Sequence, residues 1–291
     1  MSGVSFSPVA HLVESWRRNA ISRVVVPVGC PGTPCAANAK ANDFGSPQPR
    51  RRFYTAQFHA GGPLMPAELQ RFDRFLEMMH APPMSLDAVL EPVEALKEDP
   101  WLSSCESWAK HGRQKDSPKE MQRMEVLFRE AGANFPPDLE GAGTSPCFWH
   151  LPHDSFVQLA GLTERQMLML VYHFKVKEDL LHLEPGAVWM LDVKKSVLFG
   201  QKADFSCPTL YPGIRLVVLR RYENHARLSL LAPTEAFALM GLQIRFLFAD
   251  GLTRLAQELP YARMIDMAGG AFHSPSACAF MFASLMLRPV F

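Results

Sequence analysis

Hydrophobic positions along this chain switch between helical and strand spacing, and the switches mark its elements. Ser7-Pro8 supplies an N-cap and a first helical residue, and Val9, Leu12, Val13 and Trp16 follow at helical spacing. The β-branched run Arg23–Val28 predicts a buried strand. Residues 29–49, rich in Gly, Pro and Asn, predict a loop, and Phe53–Phe58 a second strand. Ser117-Pro118-Lys119-Glu120 predicts a boxed helix start, with Met121, Met124, Leu127, Phe128 and Ala131 on its apolar face and Gly132 as its stop. Thr163-Glu164-Arg165-Gln166 predicts a second such start, running through Leu168, Leu170, Val171 and Phe174. Between them, Phe135–Asp138 and Gly141–Pro146 are loop, and Ala187–Val193, Ser196–Gly200 and Ile214–Leu219 predict strands. Leu231–Leu242 predicts a short helix stopped by Gly241, and Ser274-Pro275 opens a last helix to Leu287.

The helix–strand–loop–strand order at the start is that of a Rossmann-like sheet near its end. The expected fold class is therefore α/β: a partial Rossmann-like sheet in residues 1–58, a mostly helical insertion in 59–230, and helices returning to the sheet in 231–291. Composition agrees with a folded chain, since 48% of its 291 residues are hydrophobic and 20% charged. A net charge of +1 gives no global attraction to nucleic acid, so any such binding needs local basic patches. The six cysteines follow no framework spacing and predict free thiols in a reducing compartment. Met1–Ser7 lacks the basic start and apolar core of a secretory signal. An intracellular location is expected, nuclear in a eukaryote. Met267–Leu287 carries no formal charge, but Gly269, Gly270, His273, Ser274, Pro275 and Ser276 leave only Ala277–Leu287 apolar. That is too short to span a bilayer, and no membrane partner is expected.

Chemistry concentrates in Asp43-Phe44-Gly45-Ser46-Pro47-Gln48-Pro49-Arg50-Arg51-Arg52-Phe53-Tyr54, where a Gly/Pro turn, an amide and three guanidiniums precede a strand. This order resembles the eighth motif of the DNA cytosine-5 methyltransferases, Gln-x-Arg-x-Arg after a Phe/Tyr-Gly-x-Pro turn. Leu231-Ala232-Pro233-Thr234-Glu235 resembles the ninth motif, with Ala232 replacing a Thr and Leu242 a Phe. Met267-Ala268-Gly269-Gly270-Ala271-Phe272 resembles the tenth, with Gly270 where an Asn stands. Three such segments in family order, with an insertion of target-recognition size between the first two, carry the resemblance.

The resemblance implies an enzyme that flips a cytosine into a pocket, attacks it with a Cys thiolate and methylates it from S-adenosyl-L-methionine. Carried over, Arg52 and Arg50 hold the flipped base and a nearby phosphate, and Gln48 braces their loop. Gly269, Gly270, Ala271 and Phe272 fall beside the methyl donor, with cofactor contact weakened by the missing Asn. DNA is the implied partner, with Arg51, Arg215, Arg220 and Arg221 on its face and Lys194, Lys195 and Lys202 near the rim. Equally, the arginine run is a solvated basic turn, the Gly pair a turn before a core helix, and Glu235 a residue that fixes local structure.

The family's Phe-x-Gly-x-Gly cofactor loop, ribose-binding acid and Glu-Asn-Val strand do not occur in this sequence. Cys35 follows a proline, as the family's nucleophile does, but lies only thirteen positions before Gln48, far too close for that motif. No methyl transfer by the chain alone is expected, and a polypeptide supplying the N-terminal half is the implied partner. Cys147, His150 and His153 are soft ligands without a fourth, and no metal is expected. Three alternatives stay open at this point. The chain is a methyltransferase portion completed elsewhere, a non-catalytic nucleic-acid binder, or an unrelated α/β protein whose Arg52 and Gly269 lie far apart. The first also predicts an exposed apolar face on the strand near Phe53 and on the helix ending at Leu287.

Overall fold

A computed structural model describes residues 34–57, 66–92, 95–96, 98–104, 117–135, 162–173, 186–195, 201–202, 207–221, 226–248 and 250–287. The helix expected from Val9, the strands over Arg23–Val28 and Ser196–Gly200, most of the two loops after Phe135, and Cys147, His150 and His153 lie outside the described residues.

Strands β1 (Pro34–Lys40) and β2 (Arg51–Gln57) form an antiparallel hairpin, in register from Pro34↔Gln57 to Lys40↔Arg51. β1 occupies positions expected to be loop. Ala36, Ala37 and Asn38 have little strand preference of their own, and the ladder with β2 overrides it. A 3-10 turn at Ala41–Asp43 leads to Gly45, whose φ of 87° lies in the left-handed region that glycine adopts freely. The Ala41 amide donates to the Arg50 carbonyl at 2.6 Å and closes the base of the turn.

Helix α10 (Ser274–Leu287) packs on both strands of this hairpin, and α1 (Pro66–Met78) packs on α10. Ala39, Phe44, Tyr54, Phe72, Leu76, Ala279, Phe280 and Ala283 form a small core there. The Phe280 ring is its centre, stacked on Tyr54 at 5.4 Å and edge-on to Phe72 at 5.5 Å. α1 was not anticipated, although Phe72 and Leu76 stand at i, i+4 behind Pro66.

A four-stranded antiparallel sheet, in the order β4-β3-β5-β6, organises the rest. Its strands are β3 (Val188–Asp192), β4 (Gln201–Lys202), β5 (Leu216–Arg221) and β6 (Ala226–Leu230). Every residue of β3 is buried, so the sheet is covered on both faces. The larger core draws on α3 (Pro100–Ser104), α4 (Pro118–Glu130), α5 (Glu164–Val171), α6 (Pro233–Leu239) and α9 (Tyr261–Gly270). Fully buried Trp101, Phe128 and Leu168 each contribute about 1.5–3 kcal/mol of apolar transfer. The described residues also form the short helices α2 (Leu86–Val89), α7 (Ile244–Leu247) and α8 (Leu252–Glu258). The middle block is thus helical at its periphery and built on a sheet at its centre.

Two local expectations are sorted by geometry. At Thr163 the box is complete: its hydroxyl accepts from the Gln166 amide at 3.3 Å, and the Gln166 side chain accepts from the Thr163 amide at 3.1 Å. Ser117 caps α4 with its backbone carbonyl alone, and Glu120 turns instead to Arg165 at 3.2 Å. Mixed helix and small sheet are compatible with the α/β class. Both described sheets are antiparallel, so the parallel part of a Rossmann arrangement is not among the described residues. No helix among them is long and apolar enough to cross a membrane.

Candidate functional site

The turn after β1 is held by the C-terminal ends of two helices. A helix leaves its last four carbonyls without intrahelical donors. Gln48, fully buried, donates through Nε2 to the carbonyl of Leu239, the last residue of α6, at 2.9 Å. Its Oε1 accepts from the Leu210 amide at 3.4 Å. Ser46 adds a second donor to the Leu239 carbonyl at 3.4 Å. Arg50, 1% exposed, donates to the Gly269 carbonyl in the last turn of α9 at 2.8 Å and to the Leu210 carbonyl at 2.5 Å. Its charge therefore sits at the negative end of the α9 dipole. Gln48 and Arg50 cap α6 and α9 with one turn, and the Ser274 amide ties the start of α10 to the Met240 carbonyl at 2.8 Å.

Gly269 and Gly270 form the last turn of α9, not the free Gly turn the sequence suggested. The physical reason is a close approach: a Cβ on Gly269 would lie 2.3 Å from the Tyr211 carbonyl carbon. Backbone meets backbone there, and only glycine fits. A Cβ on Gly270 would meet nothing within 4 Å. Ala271 and Phe272 are half-buried, and the Phe272 ring lies 5.7 Å from that of Tyr54.

The three arginines of the turn part company. Arg50 points into the carbonyl cage. Arg51 is exposed and Arg52 half-buried, and strand alternation sets these two on opposite faces of β2. Cys35 lies in β1, paired with Ala56.

The proposed basic rim divides as well. Arg220 is internal: it pairs with the fully buried Glu235 and donates to the Ser229 hydroxyl at 3.1 Å. That placement removes Arg220 from any DNA-facing surface. Glu235 also accepts from the amides of Ala232, at 3.0 Å, and Glu91, at 3.2 Å, so it fixes local structure. Burial pushes its carboxyl up to about 7, against the pull of Arg220 and the two amides. Arg215 is half-buried and donates to the Gln166 side chain at 3.3 Å. Lys194 is exposed, and Lys195 lies 5.4 Å over the Tyr211 ring. The side chains of Arg221 and Lys202 lie outside the described residues.

Sequence reasoning missed the loop Cys207–Gly213, which joins these parts. Its Leu210 backbone meets Gln48 and Arg50, and its Tyr211 backbone meets Gly269. The Tyr211 hydroxyl donates to Asp192 at 2.7 Å, which ties the loop to β3. Also missed was Asp99. It accepts from the amides of Trp101 and Leu102 at 3.0 Å and from the Thr234 hydroxyl at 3.1 Å, so it joins α3 to α6. The Asp99-Pro100 dipeptide was its available signal.

His273, between α9 and α10, is buried with Nδ1 2.8 Å from the Ser276 hydroxyl, and desolvation lowers it to about 4. A depressed base favours folding above its unfolded pKa of 6.5 and loses that contribution as pH falls toward 4. Glu235 acts oppositely: its contribution is full below about 4.5 and lost as pH rises through about 7. The two slopes oppose each other between these limits. His273→Gln will therefore remove up to about 3 kcal/mol of acid sensitivity between pH 6.5 and 4. Urea unfolding of both proteins across that range measures the difference; parallel curves would refute it.

Among the described residues, no three His, Cys, Asp or Glu side chains are grouped to hold a metal ion. No protein-family model matches the chain, and no curated protein is significantly similar to it.

Proposed function

We propose that this chain is the C-terminal portion of a DNA (cytosine-5) methyltransferase-like protein, serving target recognition and the holding of a flipped base, and inactive alone. The observation that carries this reading is the double cap. Gln48 and Arg50 of the eighth-motif-like turn bond to Leu239 of the ninth-like helix and Gly269 of the tenth-like segment. Two segments lying 191 and 219 positions further along the chain thus meet this turn through side chains the resemblance singled out.

In this reading Gln48 and Arg50 are positioning residues. Both hydrogen-bond within the fold, and base and phosphate contact is assigned to Arg52 and Arg51, with Arg215, Lys194 and Lys195 along the recognition block. Guanidinium forks suit a base carbonyl or a phosphate better than a point charge does. The residues near Gly269 do not by themselves fit S-adenosyl-L-methionine. Gly269 is sealed by Tyr211, Gly270 has no side chain, and Ala271 and Phe272 offer no hydrogen-bonding group. Cofactor binding and methyl transfer thus belong to a protein completed by an N-terminal half. A nuclear or other intracellular setting follows from the DNA substrate. The same poverty of donors favours the second reading, a non-catalytic nucleic-acid binder of methyltransferase descent.

Duplex binding followed by fluorescence anisotropy at several salt concentrations tests the common part. Arg51→Ala and Arg52→Ala will each weaken binding and lower the log–log salt slope by about 1 if each removes one phosphate contact. Absence of salt-dependent binding by the unaltered chain would sink both readings. Cofactor binding after addition of a methyltransferase N-terminal half would separate them. Formation of 5-methylcytosine by the chain alone would overturn the predicted inactivity.

A further inference from the structure

Strand alternation sorts the residues of the β1–β2 hairpin between its two faces. Ala39 and Tyr54 are buried in the small core with α10, and Arg52, opposite Ala39, shares their face. Lys40 and Arg51, directly opposite each other in the register, therefore lie on the other face. The bond from the Ala41 amide to the Arg50 carbonyl makes theirs a non-hydrogen-bonded pair. Side chains stand closest in such pairs, with Cβ atoms about 4.5–5.5 Å apart.

Two cations so placed repel each other and weaken the hairpin. Arg51 is exposed and Lys40 half-buried, and among the described residues neither pairs with an acid. Protection of a sheet edge does not account for this choice, because a charge of either sign guards an edge. A glutamate at position 40 would guard it equally and attract Arg51. Like charges held together at a cost in stability are accounted for by an anion that neutralises both.

We propose that Lys40 is a further nucleic-acid-binding residue and forms, with Arg51, a two-cation clamp on neighbouring phosphates of one DNA strand. The inference deepens the proposed function and rests on it. A DNA strand carries one charge per 3.4 Å of helix axis, so cations about 5 Å apart at their Cβ atoms reach successive phosphates. An ammonium takes a phosphate as a point charge and needs no fixed fork. Arg50 supplies the pre-organisation. Its bonds to the Leu210 and Gly269 carbonyls anchor the residue before Arg51, and its own carbonyl holds the residue after Lys40 at 2.6 Å. Little backbone freedom is then left to lose on binding.

Binding and stability are expected to move in opposite directions, which a role in the fold alone would not produce. Lys40→Met keeps the stem and removes the charge. It will weaken duplex binding on the order of tenfold at about 50 mM salt, equally for unrelated sequences, and lower the log–log salt slope by about 1. Combined with Arg51→Ala, it will lower the slope by about 2. Lys40→Glu will bind more weakly still, yet its urea midpoint will rise by about 0.2 M through a cross-strand pair with Arg51. If Arg51→Ala lowers the slope while both Lys40 variants bind as the unaltered chain does, this inference fails and the proposed function stands. A lower urea midpoint for Lys40→Glu would show that Lys40 serves the fold, and would overturn the inference as well. An unaltered chain without salt-dependent binding overturns both. Displacement of the duplex by inorganic phosphate, but not by chloride at equal ionic strength, would assign the pair to a free phosphate ion and overturn the inference alone.

Discussion

Replacing Arg50 with alanine will cost about 3–5 kcal/mol of stability, among the largest effects of any single substitution in this chain. The side chain is almost fully buried and its two terminal nitrogens donate to the Leu210 and Gly269 carbonyls. Truncation leaves both acceptors buried without donors, at about 1–3 kcal/mol each, and opens a cavity where the guanidinium lay. It also removes the positive charge from the end of α9. Arg50→Lys will recover less than half of the loss, because one ammonium cannot reproduce a fork that reaches two carbonyls from different elements. Urea unfolding of the three proteins measures this. A loss below about 1 kcal/mol for Arg50→Ala would show that the turn is not held by this side chain. Under the proposed function, in which Arg51 and Arg52 on the same strand contact nucleic acid, the destabilised variants are expected to lose that binding as well.

That division among three neighbouring arginines shows where the sequence is legible and where it is not. The run marks a chemically unusual turn, and Gly45, Pro47 and Gln48 mark its shape. What distinguishes Arg50 from Arg52 is the carbonyl of a residue some 219 positions away, which no local pattern reveals. The same holds for Gly269, whose glycine is demanded by the Tyr211 backbone rather than by a turn. Elements with a strong period and a terminal signal were readable: α4, α5, α6 with its stop at Gly241, α10, β3 and β5. β1 was not, because its alanines carry no strand signal and its conformation comes from pairing with β2. The antiparallel sheet at the centre of the middle block was foreshadowed by two of its strands. β6 escaped notice because Arg227 and Ser229 alternate with Ala226, Leu228 and Leu230 too briefly to stand out. Arg220 shows the limit for charge: a basic residue on a strand reads as rim, but an acid fifteen positions on draws it inside.

Removing that acid produces the other large effect. Glu235→Ala will cost about 3–5 kcal/mol, because it leaves the Arg220 guanidinium buried without its counter-charge. It also strips the acceptor from two amides, Ala232 at the start of α6 and Glu91 in the segment after α2. The double variant Glu235→Leu/Arg220→Met will be more stable than Glu235→Ala, since a buried ion pair replaced whole by apolar groups of similar size loses little. Some loss will remain, from the Glu91 and Ala232 amides and from the Ser229 hydroxyl that Arg220 now engages. A double-mutant cycle isolates the pair itself. A coupling below about 0.5 kcal/mol would mean that the contact is incidental to the fold. A large coupling would mean that Arg220 and Glu235 lock the four-stranded sheet to the helix whose last carbonyl Gln48 caps. The sheet and the arginine turn would then be held in one geometry by buried polar bonds at both ends of α6.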